Sequence, residues 1–294
     1  MAHEDIRIGT LVKAANRPAE YIRKILRHGF ESFEIVFPPH LDNIDLRRLA
    51  DELRGVLAEG GGAAVVSSLG IYGNPLVDGQ TASNWRRLID AASWFGCDLV
   101  CGFTGRIPGT PVPDSLPALK QVFGPLVKQA EDRGVRIAFE NCDTHGGWES
   151  GDWNIAHAPA AWEMIFDAIA SDALGLEWEP CHQMVSLIDP LPQLWQWADK
   201  VFHVHGKDAT IMWDVIRRQG IRGGAQYVYH RTPGFGQTNW ADVISILRMK
   251  GFRGSIDIEG WHDPVYCREL EMTGQVHAMN YLRECRGGEF VANP

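Results

Sequence analysis

Ile137-Ala138-Phe139-Glu140 is an apolar run of strand length that stops on a carboxylate, and the chain repeats this pattern three more times. The later copies are Leu176-Glu177-Trp178-Glu179-Pro180-Cys181-His182, Phe202-His203-Val204-His205-Gly206-Lys207-Asp208 and Ile256-Asp257-Ile258-Glu259. An ionised carboxylate among apolar side chains is costly unless a cation or hydrogen bonds compensate it, so carboxylates and imidazoles at four successive strand ends point to one metal site. Such ends meet when parallel strands close into a barrel, whose chemistry sits at the carboxyl ends of the strands.

Reading outward, four earlier runs have the same strand character: Ile6 to Val12, Phe33 to Phe37 halted by Pro38-Pro39, Ala63 to Leu69, and Asp98 to Phe103. Between them the apolar spacing turns helical. Ala19 to His28 places Tyr21, Ile22, Ile25 and Leu26 on one side; Ile44, Leu49, Leu53, Val56 and Leu57 form a second stripe. Trp85, Leu88, Ile89, Ala92 and Phe95 form a third, and Leu119, Val122, Phe123, Leu126 and Val127 a fourth. Helices over 160–170, 191–198 and 240–249 precede the last three strands, and 269–281 closes the chain. Gly29, Gly96, Gly134, Gly175 and Gly251 fall between a helix and the next strand, where helix C-caps favour glycine. Eight strand–helix units with no second compositional region predict an α/β chain, a single (β/α)8 TIM barrel over residues 1–294, with 284–294 as a polar tail.

The 294 residues are 45% hydrophobic and 22% charged, an ordinary globular balance, and the formal charge is −9. Without clustered Lys and Arg that charge argues against a nucleic-acid partner. No stretch reaches the length of a membrane span and Met1-Ala2-His3-Glu4-Asp5 lacks a basic leader, so the expected location is the cytoplasm, with no membrane partner. The six cysteines lack CxxC pairing and read as reduced packing residues; Cys142 and Cys181 lie within two residues of metal-site candidates without a paired His and acid that would mark a nucleophile.

Two connections after strands are long, 143–159 and 209–239, as loops over a site often are. The first holds His145, Trp148, Trp153 and His157; the second holds Trp213, Arg222, Tyr227, Tyr229, His230 and Arg231. Both are assigned to the substrate. The tryptophans serve either as stacking platforms for a sugar or as loop packing. His145 serves either as a proton donor to a leaving group or as a hydrogen-bonding group that shapes its loop.

At the four strand ends the chain resembles the sugar phosphate isomerase/epimerase superfamily with the xylose-isomerase-like barrel. The family pattern is a Glu ending strand five, Asp-Pro-x-His after strand six, His-x-Lys-Asp ending strand seven and a Glu ending strand eight. The matches here are Glu140, Glu179-Pro180-Cys181-His182, His205-Gly206-Lys207-Asp208 and Glu259, with Gly234-Phe235-Gly236 and Trp240 matching a further element. The resemblance implies Glu140, Glu179, His205 and Glu259 as ligands of one divalent cation. Three carboxylates and an imidazole favour manganese, with magnesium, cobalt and zinc as the other candidates. Glu179 stands where the family usually has Asp, which moves its ligand atom by about one methylene. Glu177 and His203 read as structural groups supporting the ligands.

The resemblance further implies proton abstraction α to a carbonyl and a metal-stabilised enediolate, with Glu140 and Glu259 as base and acid. Return of the proton isomerises or epimerises a sugar. Loss of a β-substituent instead gives a lyase, as in the 3-keto-glycoside lyases and C-glycoside deglycosidase catalytic subunits that the chain also resembles, and there His145 would be the third catalytic group. His182, Lys207, Trp148, Trp153 and Arg231 are the expected substrate contacts. No phosphate-binding cluster is evident, so the expected substrate is a non-phosphorylated sugar or keto-sugar. A homo-oligomer and a complex with a small second subunit are both compatible with this reading. The same barrel also serves abasic-site nucleases, which require more His and Asp ligands and a basic face.

Overall fold

The structure, a computed structural model, describes residues 5–41, 44–260, 262–288 and 291. The leader reading of Met1–Glu4 therefore lies outside the described residues, as do residues 289, 290 and 292–294 of the expected tail.

The elements in order are β1 Arg7–Lys13, α1 Pro18–Ile25, β2 Ser32–Phe37, α2 Leu46–Glu59, β3 Val65–Ile71, α3 Gly79–Phe95, β4 Leu99–Gly102, α4 Leu116–Arg133, β5 Arg136–Glu140 and α5 Pro159–Ala168. There follow β6 Leu174–Trp178, α6 Pro180–Val185, α7 Pro190–Trp197, β7 Val201–Gly206, β8 Asp208–Ile211, α8 Trp213–Gln219, β9 Val228–Arg231, α9 Trp240–Met249, β10 Ser255–Ile258 and α10 Glu271–Cys285. Eight strands close a barrel in the order β1-β10-β7-β6-β5-β4-β3-β2, with parallel pairing. The (β/α)8 expectation is met. No helix among the described residues is long and apolar enough to cross a membrane.

Two compact units make up the chain, and β1 and β7 contribute residues to both. One comprises Leu11–Trp178 and Lys200–Val204. Its helices are positioned by local polar caps: Asp45 accepts from the Arg48 amide and Asp78 from the Gln80 amide. At the other end of α3 and α4, Gly96 (φ 77°) and Gly134 (φ 64°) take the left-handed conformation that closes the helix before the next strand. Side chains alternate across each strand. Phe139 points to the helices and meets Phe123 of α4 edge-on at 4.7 Å, while Trp85 of α3 packs against Phe123 at 5.3 Å. Glu140, one residue on, therefore faces the lumen.

The second unit comprises Met1–Thr10, Glu179–Asp199 and His205–Pro294. Asp189 caps α7 through the Leu191 amide and Asn239 caps α9 through the Asp242 amide. Its most individual part is the 209–239 connection, expected as a long loop. It contains α8 and a two-stranded antiparallel sheet in which Asp208↔Arg231 and Ala209↔His230 are partners. Buried Ala209 and Val228 pack with Cys181 and Met184 of α6, which gives the hairpin its own small core.

Three further expectations change. The third strand starts at Val65 and not Ala63, because the ladder with β2 begins at the pair Ser32↔Val65. The closing helix runs to Cys285, so residues 284 and 285 belong to α10 and not to the tail. Gly175 is no helix cap; it lies inside β6. There a Cβ would overlap the Lys200 carbonyl oxygen and stand 2.6 Å from the Phe202 ring. Gly175→Ala is accordingly expected to destabilise the fold by about 1–3 kcal/mol, the usual cost of overfilling a packed site. An unchanged urea-denaturation midpoint would refute this account of the glycine.

Candidate metal centre

Glu179 leaves β6 in extended conformation (φ −140°, ψ 142°), and Pro180, which cannot donate to a sheet ladder, starts α6 at the next residue. His182 then sits one turn along, its Nε2 2.7 Å from Glu179 Oε1. His205 is the penultimate residue of β7, and Glu259, just past β10, donates its amide to the Gly206 carbonyl at 3.2 Å. Adjacent strand ends thus place the His205 Nδ1 3.6 Å from Glu259 Oε2. Ligand atoms of Glu179, His205 and Glu259 lie within 4.8 Å of one another, and the three residues are 0%, 1% and 6% exposed.

Lys207 anchors this group. Its Nζ lies 3.2 Å and 3.1 Å from the two oxygens of Glu259, 3.8 Å from Glu179 Oε2 and 3.2 Å from His182 Nε2. His262 adds a contact from its Nδ1 to Glu259 Oε1 at 2.8 Å. Burial pushes the Glu259 carboxyl up, but the Lys207 cation, the His262 hydrogen bond and His205 outweigh it and hold the group well below the usual carboxylate range. Glu259 is therefore an anion, the form a ligand or base requires. His230 of β9 stands edge-on to His182 at 5.2 Å and to His262 at 5.9 Å.

The rest of the matching motif works differently. Asp208 accepts from the amides of Ala209 (2.7 Å) and Thr238 (3.0 Å) and from Trp240 Nε1 (3.1 Å). A Cβ on Gly236 would overlap the Asp208 carboxylate. The Asp, the second Gly and the Trp are thus one structural lock that returns the hairpin to α9.

The other unit buries its own polar group. Glu34 of β2, Glu177 of β6 and His203 of β7 offer ligand atoms within 4.8 Å of one another. Tyr72 Oη is 2.6 Å from Glu34 Oε1 and 2.8 Å from Glu177 Oε2, and His203 Nδ1 is 2.8 Å from Glu177 Oε1. Glu177 and His203 are register partners on neighbouring strands, which is why they meet. Burial, with Glu177 and Glu34 alongside, raises Tyr72 well above the ordinary phenol value, so it keeps its proton and can donate. Burial likewise raises the Cys101 thiol well above its ordinary value, consistent with its reading as a packing residue. Gly70 leaves the space that the Glu34 carboxylate fills. Reading the sequence pointed to Glu177 and His203 as supports and missed Glu34 and Tyr72; the signal was a charged residue inside the apolar run 33–37.

Beyond the strand ends, the 143–159 connection is pinned by a buried arginine. Arg106 donates to the carbonyls of Thr110 (3.0 Å), Gly147 (2.7 Å) and Trp148 (3.0 Å). Asn154 donates to the Glu140 carbonyl at 2.9 Å and the Cys142 carbonyl at 2.8 Å, tying the loop to the end of β5. On this frame His145 is exposed in left-handed conformation (φ 61°), and Trp148 and Trp153 are 36% and 51% exposed. Arg231, expected at the substrate, bonds Asp263 through Nε at 3.1 Å. The Asp263 carboxylate also accepts from the Thr232, Val265 and Tyr266 amides, so this pair organises two connections.

The sequence model of the xylose isomerase-like TIM barrel family matches residues 22–285. The uncharacterized protein YfiH of Bacillus subtilis (strain 168) is 24% identical over 228 residues, 65% of this chain and 70% of that protein. Among solved structures, the 3-keto-D-glucoside 4-epimerase of E. coli superposes with a TM-score of 0.69 at 17% identity, covering 96% of this chain and 100% of that one. An L-ribulose 3-epimerase gives 0.66 at 16% identity over 96% and 93% of the two chains. A xylose isomerase-like TIM barrel protein from Mycobacterium smegmatis, in complex with magnesium, gives 0.65 at 17% over 91% and 89%. At these identities the structural likeness is one of fold.

The Tyr72 hydroxyl lies within hydrogen-bond distance of two buried carboxylates, and its single proton can serve one of them at a time. Tyr72→Phe removes it and is expected to cost about 1–3 kcal/mol of stability, the penalty for buried polar groups that lose a partner. Chemical denaturation of the two proteins measures the difference, and equal stabilities would show that the carboxylates do not depend on Tyr72.

Proposed function

Because this chain belongs to the xylose isomerase-like TIM barrel family, we propose that it is a divalent-metal-dependent sugar isomerase or epimerase acting on a non-phosphorylated sugar or keto-sugar. The observation that carries the reading is the convergence of buried acids and an imidazole on one point at the strand ends. Ligand atoms of Glu179, His205 and Glu259 lie within 4.8 Å of one another, and Glu140, which ends β5 and matches the family pattern, is proposed as the fourth ligand. On this reading the four residues form a single ligand set. Three carboxylates with one imidazole form an oxygen-rich donor set that fits manganese or magnesium, and manganese is our choice.

When bound, the cation would polarise the sugar carbonyl and offset the charge of the enediolate. The chain's own residues handle the proton. Glu140 and Glu259 remove it from the carbon next to the carbonyl and return it, and Lys207 with His262 keeps Glu259 in the anionic form a base needs. Lys207 and His182 stand beside Glu259 and Glu179 and are proposed to hydrogen-bond sugar oxygens. A non-phosphorylated substrate is supported by the pairing of the nearby cations: Lys207 faces Glu259 and Glu179, and Arg231 faces Asp263. The names of structurally similar epimerases agree with this class of reaction.

Purified protein should hold about one divalent ion per chain, lose activity on chelation and regain it with manganese. Metal analysis that finds no ion under saturating manganese would end the metal reading. Glu140→Gln and Glu259→Gln, with metal occupancy confirmed, should each slow turnover by roughly 10²–10⁴-fold and suppress deuterium uptake from heavy water at the α-carbon. Aglycone release from a 3-keto-glucoside, with no interconversion of any free sugar, would replace this reading by the lyase.

A further inference from the structure

We infer that His230 is a substrate-recognition residue, delivered by the β8–β9 hairpin to hydrogen-bond a hydroxyl of an uncharged sugar. The inference rests on the isomerase or epimerase reading and concerns what that site selects.

The position of His230 is built, not incidental. Its strand is paired to β8 through Ala209↔His230, and the hairpin packs on α6 through Ala209 and Val228. Tyr227, three residues earlier, donates to the Val185 carbonyl at 3.4 Å. The next residue, Arg231, is fixed by Asp263. The backbone on both sides is therefore tied down, and the ring is seated edge-on between His182 and His262.

What distinguishes His230 is its polar atoms. His182 faces Glu179 and Lys207, and His262 faces Glu259, whereas among the described residues the His230 imidazole makes ring contacts and no side-chain hydrogen bond. The ring nitrogens of half-buried His230 are not sealed from a ligand, and edge-on contacts alone would be met equally by a phenyl ring. An imidazole here has a use that packing does not supply.

The ring's charge state narrows the ligand. Burial, then the charges of Lys207, His182 and His262, push its pKa down to about 3. At neutral pH it is an uncharged ring with one donor and one acceptor nitrogen. That pair matches a hydroxyl, which both donates and accepts. A phosphate or carboxylate would gain a single uncharged donor. A ring with so low a pKa is also a poor acid near neutrality, so its part is binding and not protonation of a leaving group.

The test uses the full chain loaded with manganese and a panel of D-allulose, D-fructose, L-ribulose and 3-keto-D-glucose. His230→Phe keeps the ring contacts and removes both nitrogens; His230→Gln keeps a donor and an acceptor. On the sugar that wild type turns over best, the Phe variant should raise KM about tenfold, as loss of one good hydrogen bond does, and Gln should restore it to within about threefold. Manganese affinity and melting temperature should match wild type in both. Deoxy analogues should include one that wild type binds about tenfold less well and the Phe variant binds no worse than the parent sugar. Wild-type KM in the Phe variant on every sugar would overturn the inference while leaving the enzymatic reading intact. So would equal losses in manganese affinity or melting temperature, which mark a packing role. A manganese-loaded wild type that neither binds nor converts any sugar of the panel would remove the enzymatic reading and the inference together.

Discussion

Compensation of buried carboxylates is the constraint on which the rest of this structure depends. Glu259 is 6% exposed and Glu179 fully buried, and an ion removed from water is tolerated only beside charges or donors that replace the lost hydration. Lys207, just past the end of β7, meets the demand by reaching both Glu259 oxygens. In the other unit Tyr72 and His203 do the same for Glu34 and Glu177, and Gly70 is a glycine because the Glu34 carboxylate occupies the space its side chain would take. Each acid brings with it a donor and the local geometry to hold that donor.

The connections obey the same rule at a smaller scale. Each irregular segment near the strand ends is organised by one buried polar side chain that satisfies several backbone groups: Asp208 for the return of the hairpin, Asp263 for the connection after β10, Arg106 and Asn154 for the 143–159 segment. A loop so tied presents its exposed side chains in fixed positions, which is how Trp148 and Trp153 can stay exposed on an ordered frame. It is also how the His230 ring arrives at its place with no side-chain hydrogen bond among the described residues.

Much of this was legible in the chain. The barrel followed from period: strand runs and 3.6-residue stripes alternate eight times, and their order leaves few ways to close a sheet. Glu179, His205 and Glu259 were legible because each ends a strand run, and strand ends of a parallel barrel share one rim. Glu34 was visible as a charge in an apolar strand, but its meaning depended on Tyr72, 38 positions away, and on Glu177, 143 residues beyond it in sequence. The same limit explains Gly175. Between helix and strand it looked like a cap, and only the approach of the Lys200 carbonyl shows that it is a packing glycine.

By itself the sequence determined the order of elements, the closure of the barrel and the identity of the strand-end acids and imidazole, because these depend on local periodicity and on alternation along a strand. Tertiary structure alone decided which polar groups serve which partner. Asp208 stands in a site-like motif and proves to be a lock, Arg231 is held by Asp263, and His230 and His262 stand beside His182 and Glu259. The physical reason is that hydrogen bonds and charge compensation act over a few ångströms in space between residues far apart in the chain, and the connections that set those distances fold by contacts no period records.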